Sequence, residues 1–245
     1  MKVTLVIPAY NEIVGMKEIM PRIKKEWVDQ ILIIDGGSTD GTIEYAREQG
    51  YEVYVQKARG IRLGYVESYE MITGEIMLTF SPDGNCIPEL IPELINKIKE
   101  GYDLVIVSRY LDGAKSYDDT LLTRIGNFIY TKLIGNLFGF YYTDALVIFR
   151  AYKTSLPKRF NMTKRRSILY EKIIGKYISW EPQLSVKCAK HKLKIAEIPG
   201  DEPVRIEDIG VISNTMLPKS RIQHYRSALA ILYMIFEEYI KGRNN

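Results

Sequence analysis

The sequence predicts an α/β fold in which helices cover both faces of a mostly parallel β-sheet. Short apolar runs alternate with amphipathic segments between residues 3 and 108, as in successive strand–helix units. The runs contain few polar residues, which is typical of strands buried on both faces. Turn-forming residues follow them closely, so each strand ends abruptly.

The strands and helices follow from this alternation. Strands are predicted over residues 3–7, 30–34, 51–56, 76–80, 103–108, 143–152 and 194–198. Helices are predicted over residues 13–26, 42–49, 60–71, 88–99, 122–138, 182–191 and 220–241. We interpret 110–123 as a mobile loop, 153–166 as a basic connector and 200–213 as a second loop. Residues 1–215 then form one domain, and residues 216–245 add a C-terminal helix.

Charge is distributed unevenly along the 245 residues. Residues 1–100 hold 11 Lys+Arg against 16 Asp+Glu, a net charge of −5. Residues 101–245 hold 23 against 14, a net charge of +9. The basic half favours an anionic partner such as a phosphate or a lipid headgroup, although an ordinary solvated surface explains it nearly as well. A nucleic-acid partner is disfavoured because the predicted cleft lies in the acidic half.

Several classes of protein are excluded by composition. Two cysteines and two histidines make a zinc site or a Ser-His-Asp triad improbable. The first residues do not resemble a signal peptide. The longest apolar run, residues 228–236, is far shorter than the roughly 20 residues that span a bilayer. We therefore expect a cytoplasmic protein, or one that is peripheral on the cytoplasmic face of a membrane.

The end of the strand at residues 76–80 carries the first candidate site. Asp83 and Asn85 follow in the segment SPDGN, where ligands bind in open α/β sheets. Their oxygens suit a hard cation held against a diphosphate. Taken alone, the segment would be explained better as a common strand-to-helix turn in which Asp83 or Asn85 serves only as a cap.

Two other strand ends carry polar groups of the same kind. Glu12 and the backbone of residues 8–10 follow the first strand, and Asp35 follows the second. Asp35 can accept a hydrogen bond from a ribose hydroxyl or a base, and Gly37 helps a ligand approach the backbone. The first turn, PAYNE, lacks the glycine loop of a nicotinamide-binding protein, so that class is rejected.

These motifs resemble a known family. VIPAYNE, IIDGGSTDGT, ARGIRLG and TGEIMLTFSPDGN, in this order, are similar to the family-2 inverting glycosyltransferases of the GT-A fold, which is Rossmann-like. VIVSRY, TDALVIFRAY and WEPQLSVKCAKHKLKIAEIP extend the resemblance to the dolichyl- or polyprenyl-phosphate mannose synthase branch. Residues 1–110 would then bind the nucleotide-sugar, and residues 111–215 the acceptor.

The resemblance implies roles for matching residues. The residues implied to bind the nucleotide-sugar are Pro8, Ala9, Tyr10, Glu12, Asp35, Gly37, Arg59, Arg62 and Asp83. Mg²⁺ or Mn²⁺ would bind at Asp83 and Asn85, but this expectation is weakened because Ser81 replaces the first aspartate of the family's metal motif.

The acceptor residues are implied in the same way. Arg109 and Arg124 match arginines that hold the acceptor phosphate, and Arg205 would either close over the diphosphate or be a solvated loop charge. Asp83 is implied to act in catalysis. Asp144 or Glu181 would be the base that an alcohol acceptor needs, or else a turn residue and a helix-terminal charge.

The resulting prediction is transfer of a sugar, with inversion, from a GDP- or UDP-sugar such as GDP-mannose to a polyprenyl phosphate. One alternative is transfer to a sugar hydroxyl in polysaccharide or glycolipid assembly. Another is a non-catalytic protein that binds a sugar nucleotide or a membrane, and nucleotidyl transfer is a weaker third. The C-terminal helix could pack on the core, contact a membrane or form a homodimer.

Overall fold

A computed structural model describes residues 1–164, 179–206 and 218–242, except for the side chains of 218–225 and 227. Within these residues a single sheet contains β1 (Val3–Ala9), β2 (Gln30–Asp35), β3 (Glu52–Val55), β4 (Ile76–Thr79), β5 (Leu104–Ser108), β6 (Arg150–Lys153) and β7 (Ile195–Pro199). The strand order is β3-β2-β1-β4-β6-β5-β7. Only β6 runs antiparallel to its neighbours in this sheet, which confirms the prediction of a mostly parallel sheet.

The helices that the structure describes are α1 (Ile13–Ile19), α2 (Thr42–Glu48), α3 (Ile61–Ser68), α4 (Ile91–Lys99), α5 (Leu121–Phe138), α6 (Ser155–Arg159), α7 (Glu181–Lys190) and α8 (Pro218–Ile240). The helix predicted over residues 13–26 is shorter than expected. It gives way to 3₁₀ turns at Met20–Arg22 and Lys25–Trp27. Pro21 explains the break, because proline lacks the N–H that an α-helix interior requires.

The strand predicted over residues 143–152 is also shorter, since only β6 forms. The backbone N–H groups of Thr143 and Asp144 instead donate to the carboxylate of Glu197. The predicted connector at 153–166 contains α6, and its last two residues lie outside the described residues. The predicted loop at 200–213 is described only as far as Ile206.

Helices cover both faces of the sheet, as predicted. Alternate residues of each strand point to opposite faces, so Leu5 and Ile7 join one core while Val6 joins the other. The first core includes apolar residues of α1 and α4. The second includes residues of α3, α5, α7 and α8. The two cores thus lie on opposite faces of the sheet.

The C-terminal helix α8 packs into the second core. Ala230, Met234 and Ile235 are fully buried there. Glu238, also buried, forms ion pairs with Lys187 and Lys190 of α7, at 2.9 and 3.0 Å. This confirms a C-terminal helix, and no described helix combines the length and apolar character needed to cross a membrane.

Candidate functional site

The loops that follow β1 and β2 are joined by hydrogen bonds at the carboxyl edge of the sheet. The backbone N–H of Asn11 donates to Oγ of Ser38 at 2.8 Å, and that of Glu12 donates to Oγ1 of Thr42 at 2.9 Å. Thr39 in turn donates its N–H to Oδ1 of Asn11 at 2.9 Å. The structure therefore brings the PAYNE and DGGSTDG segments together, as the nucleotide-site prediction requires.

Asp35 lies inside its own loop. Its carboxylate accepts bonds from the N–H of Gly37 and from both the N–H and Oγ of Ser38, each at 2.7 Å. The side chain is fully buried. In this arrangement Asp35 shapes the loop and presents no oxygen to the surface, so direct contact with a base or ribose stays a prediction.

Tyr10 offers the largest exposed surface of the predicted nucleoside pocket, with 63% of the residue accessible. Its ring packs on Gly36, where an added Cβ would lie 2.9 Å from the ring. An aromatic ring held in this way can stack on a nucleoside base. Pro8 is half-buried and Ala9 is buried, so these two residues form the floor beside Tyr10.

The two arginines predicted near the diphosphate differ in exposure. Arg59 is exposed in the loop between β3 and α3. Arg62 is in α3 and is only 3% exposed. Arg59 is therefore accessible to a ligand from solvent and Arg62 is not, and contact of either arginine with a diphosphate stays a prediction.

The turn that carries Asp83 is tightly packed. A Cβ at Gly15 of α1 would lie 2.3 Å from the carbonyl oxygen of Pro82, so only glycine allows this close approach. On the other side, the N–H of Ile206 donates to the Asp83 carbonyl oxygen at 2.9 Å. The Asp83 side chain is 12% exposed, and its Oδ1 accepts the N–H of Asn85 at 3.1 Å.

Asp83 and Asn85 belong to a charged group that the sequence alone did not reveal. Nδ2 of Asn85 donates to Asp118 at 3.2 Å. Nε of Arg205 lies 3.3 Å from Asp118 and 3.6 Å from Asp83. In the sequence Asp118 is simply one of two adjacent acids in a polar loop, and no local signal connects it with Asp83.

The donor atoms in this group fit a hard divalent cation. Oδ1 of Asn85 is buried and makes no hydrogen bond in the described residues of the chain. Together with the two carboxylates it offers the oxygen ligands that Mg²⁺ and Mn²⁺ prefer. Among the described residues, however, no group of three or more His, Cys, Asp or Glu side chains could hold a metal. Phosphate or water oxygens would have to complete the coordination.

Arg109 lies between two carboxylates. Its Nε and Nη2 donate to Asp144 at 2.5 and 3.1 Å, and its Nη1 donates to Glu202 at 3.1 Å. Burial opposes the charge, but the two carboxylates raise the pKa of Arg109 above its usual value. Burial raises the pKa of Glu202, although Arg109 and Ser116 counteract this effect. Most of the Arg109 hydrogen-bonding capacity is therefore used inside the protein.

Arg124 is exposed on the first turn of α5. Its guanidinium carbon lies 6.0 Å from the centre of the Tyr110 ring, and that of Arg109 lies 5.3 Å from the same ring. Tyr110 also donates a short hydrogen bond from its hydroxyl to Asp119. The two arginines predicted to bind the acceptor are therefore brought together around one aromatic ring.

The two candidate bases occupy positions that do not favour that role. Asp144 is fully buried against Arg109. Glu181 is fully buried at the start of α7, and Tyr65 donates its hydroxyl to Oε1 at 2.6 Å. Neither carboxylate lines the cavity described next. Oε2 of Glu181 is buried and has no hydrogen-bond partner among the described residues, whereas Asp144 is held by Arg109. A role for either carboxylate as the base for an acceptor hydroxyl stays a prediction.

A cavity of about 980 Å³ joins the charged group to an apolar region. The charged and amide side chains of its lining are Asp83, Asn85, Arg109, Asp118, Glu202 and Arg205, with others such as Asp119 and Asn127. Apolar side chains of the lining come from α5, from residues 146–149 and from α8: Leu122, Ile125, Ile129, Tyr130, Leu146, Val147, Ile148, Phe149, Ala228 and Ile231. The cavity can thus accommodate a molecule with an anionic head and an apolar tail.

Comparison with known sequences connects this site with a family. Residues 4–160 match the model of Glycosyl transferase family 2. Glycosyltransferase AglJ of Haloferax volcanii is 30% identical over 201 residues, 80% of this chain and 61% of that protein. A dolichol-phosphate mannosyltransferase of Pyrococcus furiosus is 32% identical over 47% of this chain and 35% of its own length. The chain thus spans less than two thirds of each of these two relatives.

Solved structures share the fold. Glucosyl-3-phosphoglycerate synthase from Mycobacterium tuberculosis aligns with a TM-score of 0.64 and 18% identity, covering 96% of this chain and 80% of that one. A structure of the same enzyme with Mn²⁺ and uridine diphosphate aligns with a TM-score of 0.60 and 16% identity, covering 97% of this chain and 79% of that one. At this identity the likeness establishes the fold, which agrees with the expected GT-A type. The sequence match and the fold together show that the chain belongs to glycosyl transferase family 2.

Proposed function

We propose that the protein transfers a sugar from a nucleotide-sugar to a polyprenyl phosphate, with inversion at the anomeric carbon. The observation that carries the proposal is a single cavity whose lining contains both a group of charged side chains and many apolar side chains. A polyprenyl phosphate has the same two regions. A sugar acceptor would have no use for the apolar wall.

The names of three relatives support the acceptor class. One is the dolichol-phosphate mannosyltransferase already described. Another is a UDP-N-acetylglucosamine–dolichyl-phosphate N-acetylglucosaminyltransferase of Methanococcus voltae, which is 25% identical over 218 residues. A third is an undecaprenyl-phosphate 4-deoxy-4-formamido-L-arabinose transferase of Salmonella choleraesuis, 28% identical over 166 residues. All three names specify a polyprenyl-type phosphate, whereas the sugars differ, so the sugar used here stays open.

The donor would bind across the edge formed by the β1, β2 and β4 loops. Tyr10 would stack on the base, and Asp35 would hold the loop that surrounds it. A divalent cation at Asp83 and Asn85 would neutralise charge on the leaving diphosphate. Arg205, which contacts the same carboxylates, and the exposed Arg59 would add positive charge near that diphosphate.

The acceptor would be its own nucleophile. A phosphate monoester is ionised at neutral pH, so it needs no protein base to attack the anomeric carbon. This agrees with the interior positions of Asp144 and Glu181. Arg124, exposed on α5 between the cavity-lining residues Thr123 and Ile125, would hold the phosphate, and Arg109 would support it from between Asp144 and Glu202.

Membrane contact would occur through α5. Its exposed apolar residues recur at helical spacing and form one stripe, which we call the α5 stripe: Leu121, Leu122, Ile125, Phe128 and Ile129. Arg124 and Lys132 add positive charge on the same helix, and Lys132 lies 5.6 Å from the Phe128 ring centre. Apolar and basic groups together suit an anionic bilayer surface. The protein would then be peripheral on the cytoplasmic face.

The test is a transfer assay with matched acceptors. Purified protein would receive radiolabelled UDP- and GDP-sugars with Mn²⁺, together with a polyprenyl phosphate or the corresponding polyprenol. We expect product only with the phosphate. Product only with the polyprenol or with a free sugar would move the function to hydroxyl transfer. Nucleotide binding without any product would favour the non-catalytic alternative.

A further inference from the structure

We infer that Asp118 supplies the carboxylate that Ser81 does not provide, and so completes the cation site at Asp83 and Asn85. The inference rests on the proposed metal-assisted binding of the donor and adds a residue to that site. Ser81 lines the same cavity as Asp83, but its hydroxyl carries no charge. A site with only one carboxylate would bind a divalent cation weakly, because affinity depends on the number of charged ligands.

Asp118 approaches this site from a different region of the chain. It is 33 residues from Asn85, and its Oδ2 lies 3.2 Å from Nδ2 of that residue. This bond fixes the orientation of the amide, so that Oδ1 of Asn85 is the end without a hydrogen bond among the described residues. A buried carbonyl oxygen in that state costs free energy unless a water or a cation contacts it. Oδ1 is therefore the atom of this amide that a cation could contact.

The loop that carries Asp118 is held by the segment that follows β7. The N–H of Tyr117 donates to the carbonyl oxygen of Glu202 at 2.8 Å, and the N–H of Glu202 donates to that of Lys115 at 2.9 Å. Ser116 pairs with Glu202 in a parallel bridge and also donates its hydroxyl to the Glu202 carboxylate. These bonds hold the loop so that Asp118 contacts Asn85 and shares the ion pair of Arg205 with Asp83.

The guanidinium group of Arg205 lies close to the carboxylates of both Asp83 and Asp118. Its Nε lies within 3.6 Å of both. The site therefore stabilises a cation already, and a divalent ion would take the place of this guanidinium group. Arg205 would then have to move away from the two carboxylates. In its new position it would pair with the diphosphate of the donor.

The experiment measures Mn²⁺ binding directly, by the loss of the electron paramagnetic resonance signal of free Mn²⁺. Mn²⁺ would be titrated into the protein in three conditions: without nucleotide, with uridine diphosphate and with guanosine diphosphate. Asp118→Asn keeps the size of the side chain and removes its charge. Asp112→Asn is the matched control, because Asp112 is an exposed acid of the same loop. Thermal melts without metal would show that all variants are folded.

We expect Asp118→Asn to weaken Mn²⁺ binding by about tenfold or more and Asp112→Asn to leave it unchanged. The double variant Ser81→Asp/Asp118→Asn should recover most of the lost affinity, because it returns a carboxylate from the other side of the site. Equal Mn²⁺ affinity in the parent and Asp118→Asn overturns the inference, and so does a parent that binds no Mn²⁺ with either nucleotide. Neither result decides the outcome of the acceptor assay, so the proposed function is tested separately from this inference.

Discussion

Arg109 and Asp144 form a bidentate ion pair, in which Nε and Nη2 of the arginine donate to the two carboxylate oxygens at 2.5 and 3.1 Å. Asp144 is fully buried, and the Arg109 side chain is 16% exposed. Glu202 contacts the same guanidinium from the segment after β7. Arg109 thus connects the ends of distant segments as well as facing the cavity.

Arg109→Ala should destabilise the fold. The substitution leaves Asp144 and Glu202 buried without the cation between them, and removing one member of a buried pair costs about 3–5 kcal/mol. Denaturation in urea would measure the change. Arg124→Ala is the control, because Arg124 is exposed and should alter stability by less than about 0.5 kcal/mol. A stable Arg109→Ala protein would show that the pair matters little to folding.

Arg124→Ala and Glu181→Gln together distinguish a phosphate acceptor from an alcohol acceptor. Arg124→Ala should lower kcat/KM for the polyprenyl phosphate by about tenfold, the cost of one charge-assisted hydrogen bond, and leave the donor KM unchanged. Glu181→Gln should retain activity, since Glu181 does not line the cavity. Loss of turnover in Glu181→Gln with full activity in Arg124→Ala would instead support an alcohol acceptor.

Asp35 should affect nucleotide binding through its loop. If so, Ser38→Ala should weaken nucleotide binding as well, because Oγ of Ser38 links Asp35 to the N–H of Asn11. We expect Asp35→Ala to have the larger effect, since three hydrogen bonds are lost. Calorimetric titration with uridine and guanosine diphosphates would measure both. If Asp35→Ala strongly weakens nucleotide binding and Ser38→Ala leaves it unchanged, Asp35 contacts the nucleotide itself.

The α5 stripe should carry membrane binding. Ile125→Asp/Phe128→Asp places two charges in the stripe, and flotation with vesicles that contain phosphatidylglycerol should show much weaker binding. Phe236→Asp on the exposed face of α8 is the matched control. If the α8 variant is the one that fails to float, the C-terminal helix is the membrane contact, as the sequence had allowed.

Glu238 should make stability depend on pH. Burial alone would raise the pKa of Glu238, but Lys187 and Lys190 hold it below its ordinary value of 4.5. Because the folded-state pKa is lowered, the stabilisation is fully present above 4.5 and is lost as the pH falls through the folded-state value.

Glu238→Gln should therefore lower the free energy of unfolding at neutral pH by about 3 kcal/mol, since it removes the carboxylate that both lysines contact. The difference from the parent should narrow as the pH falls below 4.5 and through the lowered folded-state pKa of Glu238. Urea denaturation at several pH values would measure it. A constant difference across this range would argue that packing, and not charge, is the origin of the effect.

The sequence by itself determined most of the sheet and predicted the location of the candidate site. Apolar runs such as residues 76–80 predict buried strands because burial on both faces leaves no position for a polar residue. The turn residues that follow predict where each strand ends, and so placed Asp83 and Asn85 at the ligand-binding edge. The sequence also shows, without coordinates, that Ser81 replaces the first aspartate of the family's metal motif.

Only the tertiary structure decided which distant residues meet. It placed Asp118 beside Asn85, paired Arg109 with Asp144 and Glu202, and buried Glu181 against Tyr65, 116 residues away. It also inserted β6 antiparallel between β4 and β5. The physical reason is that strand and turn preferences are local, whereas ion pairs depend on the path of the chain. A solvated acid and a ligand-binding acid have the same local sequence until folding brings their partners within a few ångströms.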